Sequence, residues 1–295
     1  MSFCRVAAAL PLLLQLSLWG QTAPVIFRSP EQLVQLGANL NQASAQELEA
    51  KLESNPEDLN ARTELLGYYY YQWMRPGEAV AKAARRRHIL WLIEHHPEAP
   101  ITGLSEASID ETGNTMADGE GYAQARKLWL GHMNSGGISA AALGNLGRFF
   151  QMADKDLAEK AFLQARAIQP QNYEWNWRLG YLYGMGLLGV DNLGLNGQPT
   201  SVDPLLQRAP FAEKSRKALA ESKSGVMLEV AASILWRYGT MLTPSEEQKV
   251  EIMDQAIHMM EQAKAAEPAN PNWQLVLLRL QAYKRQLQAG PRLDR

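Results

Sequence analysis

The chain has 295 residues, of which 46% are hydrophobic and 20% are charged, a composition typical of a soluble, core-forming protein rather than a disordered one. Its 29 basic and 31 acidic residues give a formal net charge of −2, so no broad basic field favours nucleic-acid binding. The single cysteine, Cys4, excludes an intrachain disulfide and a zinc site built from cysteines.

The first twenty residues are typical of a signal peptide. Arg5 ends a short polar start, and the uncharged apolar run from Val6 to Trp19 is followed by Gly20, after which we expect cleavage. Leu18 is larger than the small residue usual before a cleavage site, so an uncleaved N-terminal anchor is the alternative. This interpretation predicts export to the periplasm or the cell exterior, a flexible segment over 21–43 and no stable membrane insertion after cleavage.

The rest of the chain has the periodicity of helices. Apolar residues recur at spacings of three and four, and no stretch alternates between apolar and polar residues, so we predict an all-α fold. Ser44 and Glu47 match a capping box, and Pro56 suits a first helical position. Three prolines each close a helical run: Pro97, Pro170 and Pro268. The predicted helices lie near 44–54, 56–73, 76–95, 120–133, 137–151, 154–168, 172–186, 209–223, 225–240, 245–266 and 270–288, before a C-terminal tail at 289–295.

Two segments share one spacing of small, bulky and proline residues. Ala158, Phe162, Ala165 and Pro170 in the first correspond to Ala256, Met260, Ala263 and Pro268 in the second. A Leu-Gly pair followed by an aromatic residue occurs at 66–70, 146–150 and 179–183, and two of its glycines, Gly147 and Gly180, lie 33 residues apart. This shared spacing predicts internal repeats.

This pattern resembles the tetratricopeptide repeat (TPR) family, in which the Leu-Gly-x2-Tyr, Ala-x3-Phe and Pro elements recur every ~34 residues in a helix–turn–helix. The resemblance covers 55–97, 138–183 and 245–288. It implies a right-handed α-solenoid of TPR-like helix pairs over 44–288, capped by the last helix. Two stretches depart from the repeat, 97–119 and 187–208, and we predict that they are loop insertions.

Two motifs that could hold a cofactor or a metal lack the necessary context. The G-x-G-x-x-G string at 184–189 follows a helix rather than a strand, so it has no scaffold for a dinucleotide. His95 and His96 with Glu98 lack a third ligand at a metal-binding spacing, and the end of a helix explains these histidines more simply. We therefore expect no cofactor and no metal.

Two charged clusters are interpreted as solvated surfaces. The acidic residues Asp110, Glu111, Asp118 and Glu120 could gather calcium, but they lack the order of ligands in an EF-hand loop. The basic run at 85–87 lies on a predicted helix, where a solvated face is expected. The sequence predicts no catalytic residue.

The resemblance also implies a function, because TPR arrays generally bind a peptide or partner helix on a concave surface. Helical spacing predicts that this surface is lined by Glu64, Tyr68, Tyr71, Gln72, Arg148, Gln151, Trp177 and Tyr181. Family members that grip a C-terminal carboxylate use lysine and asparagine clusters at these places, which this chain lacks. The expectation is an exported, non-catalytic scaffold that binds a protein or peptide and no nucleic acid. The alternatives are a ligand- or ion-binding protein or enzyme with a site built from insertions 97–119 and 187–208, and a structural subunit of an envelope assembly.

Overall fold

The structure is a computed structural model that describes residues 28–72, 78–110, 117–194 and 198–289. Helix accounts for 77% of it, which confirms the prediction of a mainly helical fold. The predicted signal peptide and residues 290–295 of the predicted tail lie outside the described residues. No helix in the described ranges combines the length and the apolar character needed to cross a membrane.

All eleven predicted helices are present, and one further helix precedes them. The helices are α1 (Pro30–Ala38), α2 (Gln42–Ser54), α3 (Leu59–Gln72), α4 (Glu78–His95), α5 (Gly119–Asn134), α6 (Ala140–Phe150), α7 (Lys155–Ile168), α8 (Tyr173–Leu188), α9 (Pro210–Ala220), α10 (Gly225–Ile234), α11 (Glu246–Ala266) and α12 (Pro271–Ala289). A π-helical turn, Leu235–Gly239, and a short helical turn, Thr240–Leu242, follow α10.

Helix α1 lies within the segment predicted to be flexible, so that prediction omits a packed element. Its N-terminus is a capping box, because Ser29 accepts from the backbone of Gln32 while the Gln32 side chain accepts from the backbone of Ser29. Pro30 occupies the first helical position, where its fixed φ favours the helix. Leu33 and Val34 are buried, so α1 is part of the folded unit.

Two predicted helix starts are wrong in detail. Asn41, rather than Ser44, caps α2, since its side chain accepts from the backbone N–H of Ser44. Pro56 lies in a turn instead of opening α3, which begins at Leu59. Asp58 precedes this helix and accepts from the backbone N–H of Ala61. In both cases the residue directly before the helix supplies the side-chain oxygen that accepts from a free N–H group of the first turn.

Helices pack mainly against neighbours in the sequence. The pairs with extensive contact include α3 with α4, α6 with α7, α7 with α8, α8 with α10 and α11 with α12. One continuous apolar core runs from Val34 to Leu280. Gly147 lies so close to α7 that a Cβ there would be 2.4 Å from Phe162, which matches its predicted position in a helix pair.

The two predicted insertions contain regular structure. The first forms 3₁₀ turns at Pro100–Gly103 and Ser105–Ala107, and residues 111–116 within it lie outside the described residues. In the second, strands β1 (Val190–Leu193) and β2 (Pro199–Val202) form an antiparallel hairpin, which the sequence analysis does not predict. A third 3₁₀ turn, Leu206–Arg208, follows.

Candidate functional site

The first insertion is fixed to the helices on both sides of it. From α6, Asn145 Nδ2 donates to the carbonyl oxygens of Pro97 (2.8 Å) and Ala99 (3.0 Å). From α4, Arg85 Nε donates to the Glu106 carbonyl at 3.0 Å, and its Nη2 donates to that of Ser108. Because backbone carbonyls accept these bonds, the insertion has a defined position over α6.

The sequence predicts a solvated basic face at 85–87, and for Arg85 this prediction is wrong. Arg85 is only 3% exposed. Arg86 pairs with Asp118 and Glu120, both at 2.6 Å, and only Arg87 is exposed. The carbonyls of an inserted segment replace water around Arg85, an effect that local sequence does not reveal.

A cleft of about 130 Å³ lies between the insertion, α6 and the hairpin. The insertion contributes Thr102, Ser105 and Ser108, and Leu193 lies at its hairpin side. From α6 come Arg148 and Gln151, two of the predicted groove residues. Both insertions therefore meet a predicted binding helix at one place.

Arg148 is the charged group of α6 in this cleft. Its Nη1 lies against the insertion, since a Cβ built on Gly103 would be 3.6 Å from it. Among the described residues its guanidinium makes no hydrogen bond and no ion pair, whereas the nearby Arg178 pairs with Glu174 at 3.0 Å. Burial, with Arg178 nearby, lowers the pKa of Arg148 to about 10, so the side chain is still a cation at neutral pH.

A row of aromatic side chains lies on α8. The rings of Trp177 and Tyr181 are stacked, with centroids 5.5 Å apart and planes at 11°, and the Arg178 guanidinium is 5.2 Å from the Trp177 ring. Tyr173, 71% exposed, precedes Trp177 by four residues and extends the row along the helix. The sequence analysis missed Tyr173, although the i, i+4, i+8 spacing indicates it.

The row and the cleft are neighbours. Tyr181 and Arg148 are close enough that each influences the other's pKa. Burial raises the pKa of Tyr181 to about 12, with Tyr238 adding to the effect, so the phenol is neutral. The predicted groove residues of α6 and α8 therefore belong to one region.

The four predicted groove residues of α3 do not line this cleft. Tyr68 packs on the small apolar cluster between α2 and α3, and the charge of Glu64 interacts with those of Arg28 and Lys51. Tyr71 contacts Tyr70 edge to face at 5.2 Å. Gln72 is partly buried at the end of α3. Of this helix, Tyr70 lines the cleft, and the sequence analysis did not select it.

A second cluster of titratable groups, between α2, α3 and α4, has a buried histidine at its centre. His88 is 1% exposed; its Nδ1 lies 3.1 Å from Arg62 Nη1 and its Nε2 lies 3.0 Å from Glu49 Oε1. Glu49 also accepts from Tyr69 at 2.7 Å, and the Arg62 guanidinium lies 3.5 Å from the centre of the Trp91 ring. No substrate can reach His88 through this packing, so the cluster stabilises the contact between helices.

The described residues contain no group of three His, Cys, Asp or Glu side chains placed to hold a metal ion. His96 instead pairs with Glu57 at 2.7 Å. Of the acidic residues considered for calcium, Asp118 and Glu120 pair with Arg86, and Glu111 lies outside the described residues. In the glycine motif, Gly186 is buried within α8 and Gly189 ends that helix with a φ of 65°.

Comparisons of the chain with protein-family models, with curated proteins and with solved structures gave no match.

Proposed function

We propose that the chain is a non-catalytic binding protein in which a TPR-like array of helix pairs holds a peptide segment of a protein partner along α8. The observation that carries this proposal is the exposure of Trp177, which is 37%, whereas Trp129, Trp175 and Trp273 are 1%, 3% and 7% exposed. Trp177 leaves part of its indole in contact with water beside a stacked tyrosine. A partner that covers these rings removes apolar surface from water, which stabilises the complex.

The dimensions of the row suit an extended peptide. From Tyr173 to Tyr181 the helix rises about 12 Å at 1.5 Å per residue, which corresponds to about four residues of extended chain. Glu174 and Arg178 flank the row as an ion pair, so both donors and acceptors are available beside the rings. The preferred ligand is therefore a short segment with an aromatic or large apolar side chain.

Peptides selected from a random displayed library on the protein provide the test. Replacing both Trp177 and Tyr181 with Ala should weaken the selected peptides more than about tenfold, because aromatic anchors commonly dominate such interfaces. The control is Ile168→Ala, which removes an exposed apolar side chain (54%) from α7. If the double variant folds and binds these peptides as tightly as the wild type, the proposal fails.

A further inference from the structure

We propose that the cleft between the first insertion and α6 binds the carboxylate group of a small organic acid or of a peptide terminus, with Arg148 as the cation that holds it. The cleft adjoins the aromatic row, but none of the three aromatic residues of the row lines it. The proposal rests on the lack of a partner for Arg148 within the described ranges, on the polar lining of the cleft and on its size.

Arg148 differs from other buried or partly buried arginines, which have hydrogen-bond acceptors. Arg62 donates to Pro56 O at 2.8 Å, Arg85 donates to two carbonyls and Arg86 is paired with Asp118. Arg148 is also partly buried, and taking a guanidinium out of water without an acceptor is unfavourable. An anion entering the cleft would supply the missing acceptor.

The charges around the cleft favour a single negative charge. Arg178 and Glu174 both act on the pKa of Arg148, in opposite directions, and they are paired with each other at 3.0 Å. The charge of Glu106 also acts on Arg148, and it would repel a dianion such as phosphate more strongly than a monoanion. The planar guanidinium also matches the two oxygens of a carboxylate, which it can bind through parallel hydrogen bonds.

Neutral polar groups complete the lining. The Ser105 and Ser108 hydroxyls and the Gln151 amide make no side-chain hydrogen bond within the described part of the chain. They can therefore donate to a carboxylate oxygen or to a hydroxyl of the ligand. At about 130 Å³ the cleft is smaller than the ~300–1,000 Å³ of typical drug-sized sites, so it suits one small acid or one terminal residue.

Isothermal titration calorimetry and thermal shift with acetate, propionate, benzoate and inorganic phosphate test the proposal on the full chain. At least one monocarboxylate should bind saturably and raise the melting temperature, and phosphate should bind more weakly. Arg148→Gln should weaken that carboxylate at least tenfold, while Arg87→Gln, at an exposed arginine, should leave it unchanged. Trp177→Ala, at a ring that does not line the cleft, should also bind the acid normally, which separates this site from the proposed peptide surface.

The stability of the unliganded variant is the second readout. Arg148 lies in the last turn of α6, where a cation can stabilise the helix without any ligand. On our proposal, Arg148→Gln leaves the melting temperature without ligand unchanged or raises it, because an unpaired, partly buried charge is removed. A clear fall in that temperature would assign Arg148 to the fold and overturn the proposal. Absence of binding by all three acids, or tighter binding of phosphate, would overturn it too.

Two tripeptides test whether the carboxylate comes from a peptide terminus or from a free organic acid. They have the same sequence, one with a free C-terminus and one with a C-terminal amide, and the binding of each is measured by calorimetry. Binding of the free form alone identifies a peptide terminus as the ligand. Binding of small acids without either tripeptide identifies a free organic acid. Both results support a carboxylate site, whereas equal binding of the acid form and the amide contradicts it.

Discussion

The position of one proton decides how the cluster around buried His88 responds to pH. Arg62 can only donate, so His88 Nδ1 must accept and its Nε2–H must donate to Glu49. A proton on Nδ1 would place two donors face to face. Burial, together with the charges of Arg87 and Arg62, lowers the pKa of His88 below its ordinary 6.5 despite Glu49. Folded His88 is therefore neutral while unfolded His88 gains a proton as the pH falls below 6.5.

The free energy of unfolding should consequently fall as the pH drops below 6.5, with this group contributing up to ~1.4 kcal/mol per pH unit until folded His88 also gains its proton. His88→Gln should reduce the slope, because a glutamine can accept from Arg62 and donate to Glu49 without titrating. Urea denaturation at several pH values measures the slope, and His258→Gln on the exposed face of α11 is the control. Identical slopes in wild type and His88→Gln would contradict the assigned proton position.

Glu49 titrates in a separate and more acidic window. Burial raises its pKa, but hydrogen bonds from His88 and Tyr69 and the charge of Arg87 outweigh burial and lower the pKa to about 2. The stability it contributes is present above its ordinary pKa of 4.5 and is lost as the pH falls from 4.5 toward 2. The contribution of His88 is therefore measured as the difference in slope between wild type and His88→Gln at a pH above this window.

At the scale of elements, the contact between α1 and α3 depends on two glycines. A Cβ on Gly67 would lie 2.2 Å from Val34 O, and a Cβ on Gly37 would lie 1.8 Å from Glu64 O. Both obstacles are backbone atoms, so neither can move away without shifting a helix. The glycine of the Leu-Gly pair in α3 thus allows α1 to pack closely against α3. The predicted repeats do not include α1.

Gly67→Ala should therefore destabilise the protein by roughly 1–3 kcal/mol through overpacking and should loosen α1 first. Hydrogen exchange of residues 30–38 and urea denaturation measure the two effects. Gly131→Ala is the matched control: nothing lies within 4 Å of a Cβ there, so it should stabilise α5 by about 0.5–1 kcal/mol. Unchanged protection of α1 in Gly67→Ala would show that the close approach is not required.

The sequence predicts the helices better than the site because helix ends are encoded locally. Prolines and capping residues act within a few positions, so every predicted helix is found, and α1 carries a comparable signal at Ser29 and Gln32. Helical spacing also selects Arg148 and Gln151 for the cleft. The opposite wall depends on Asn145 bonding to Pro97, 48 residues away. Such a contact between a helix and an insertion leaves no periodic pattern in the sequence.

At the scale of the whole molecule, one apolar core extends from α1 to α12. Leu66 near one end and Trp273 near the other belong to the same cluster of buried residues. Arrays of packed helices can lose cooperativity when an interface between neighbours is weak. Here every helix except α2 contributes buried residues to this core, and Trp273 is held by a hydrogen bond from its Nε1 to Glu267 at 3.1 Å. Unfolding should therefore be a single transition.

Leu66→Ala and Trp273→Ala test this at opposite ends of the core. Each should reduce the free energy of unfolding by about 2–5 kcal/mol and so lower the urea concentration at the midpoint of the same transition. The m-value should be unchanged, because the same surface is exposed on unfolding. Circular dichroism reports all helices, and tryptophan fluorescence reports local packing, so the two signals should coincide in both variants. A second transition, or a reduced m-value in Trp273→Ala alone, would mean that α11 and α12 unfold independently and that the core is divided into separate cooperative units.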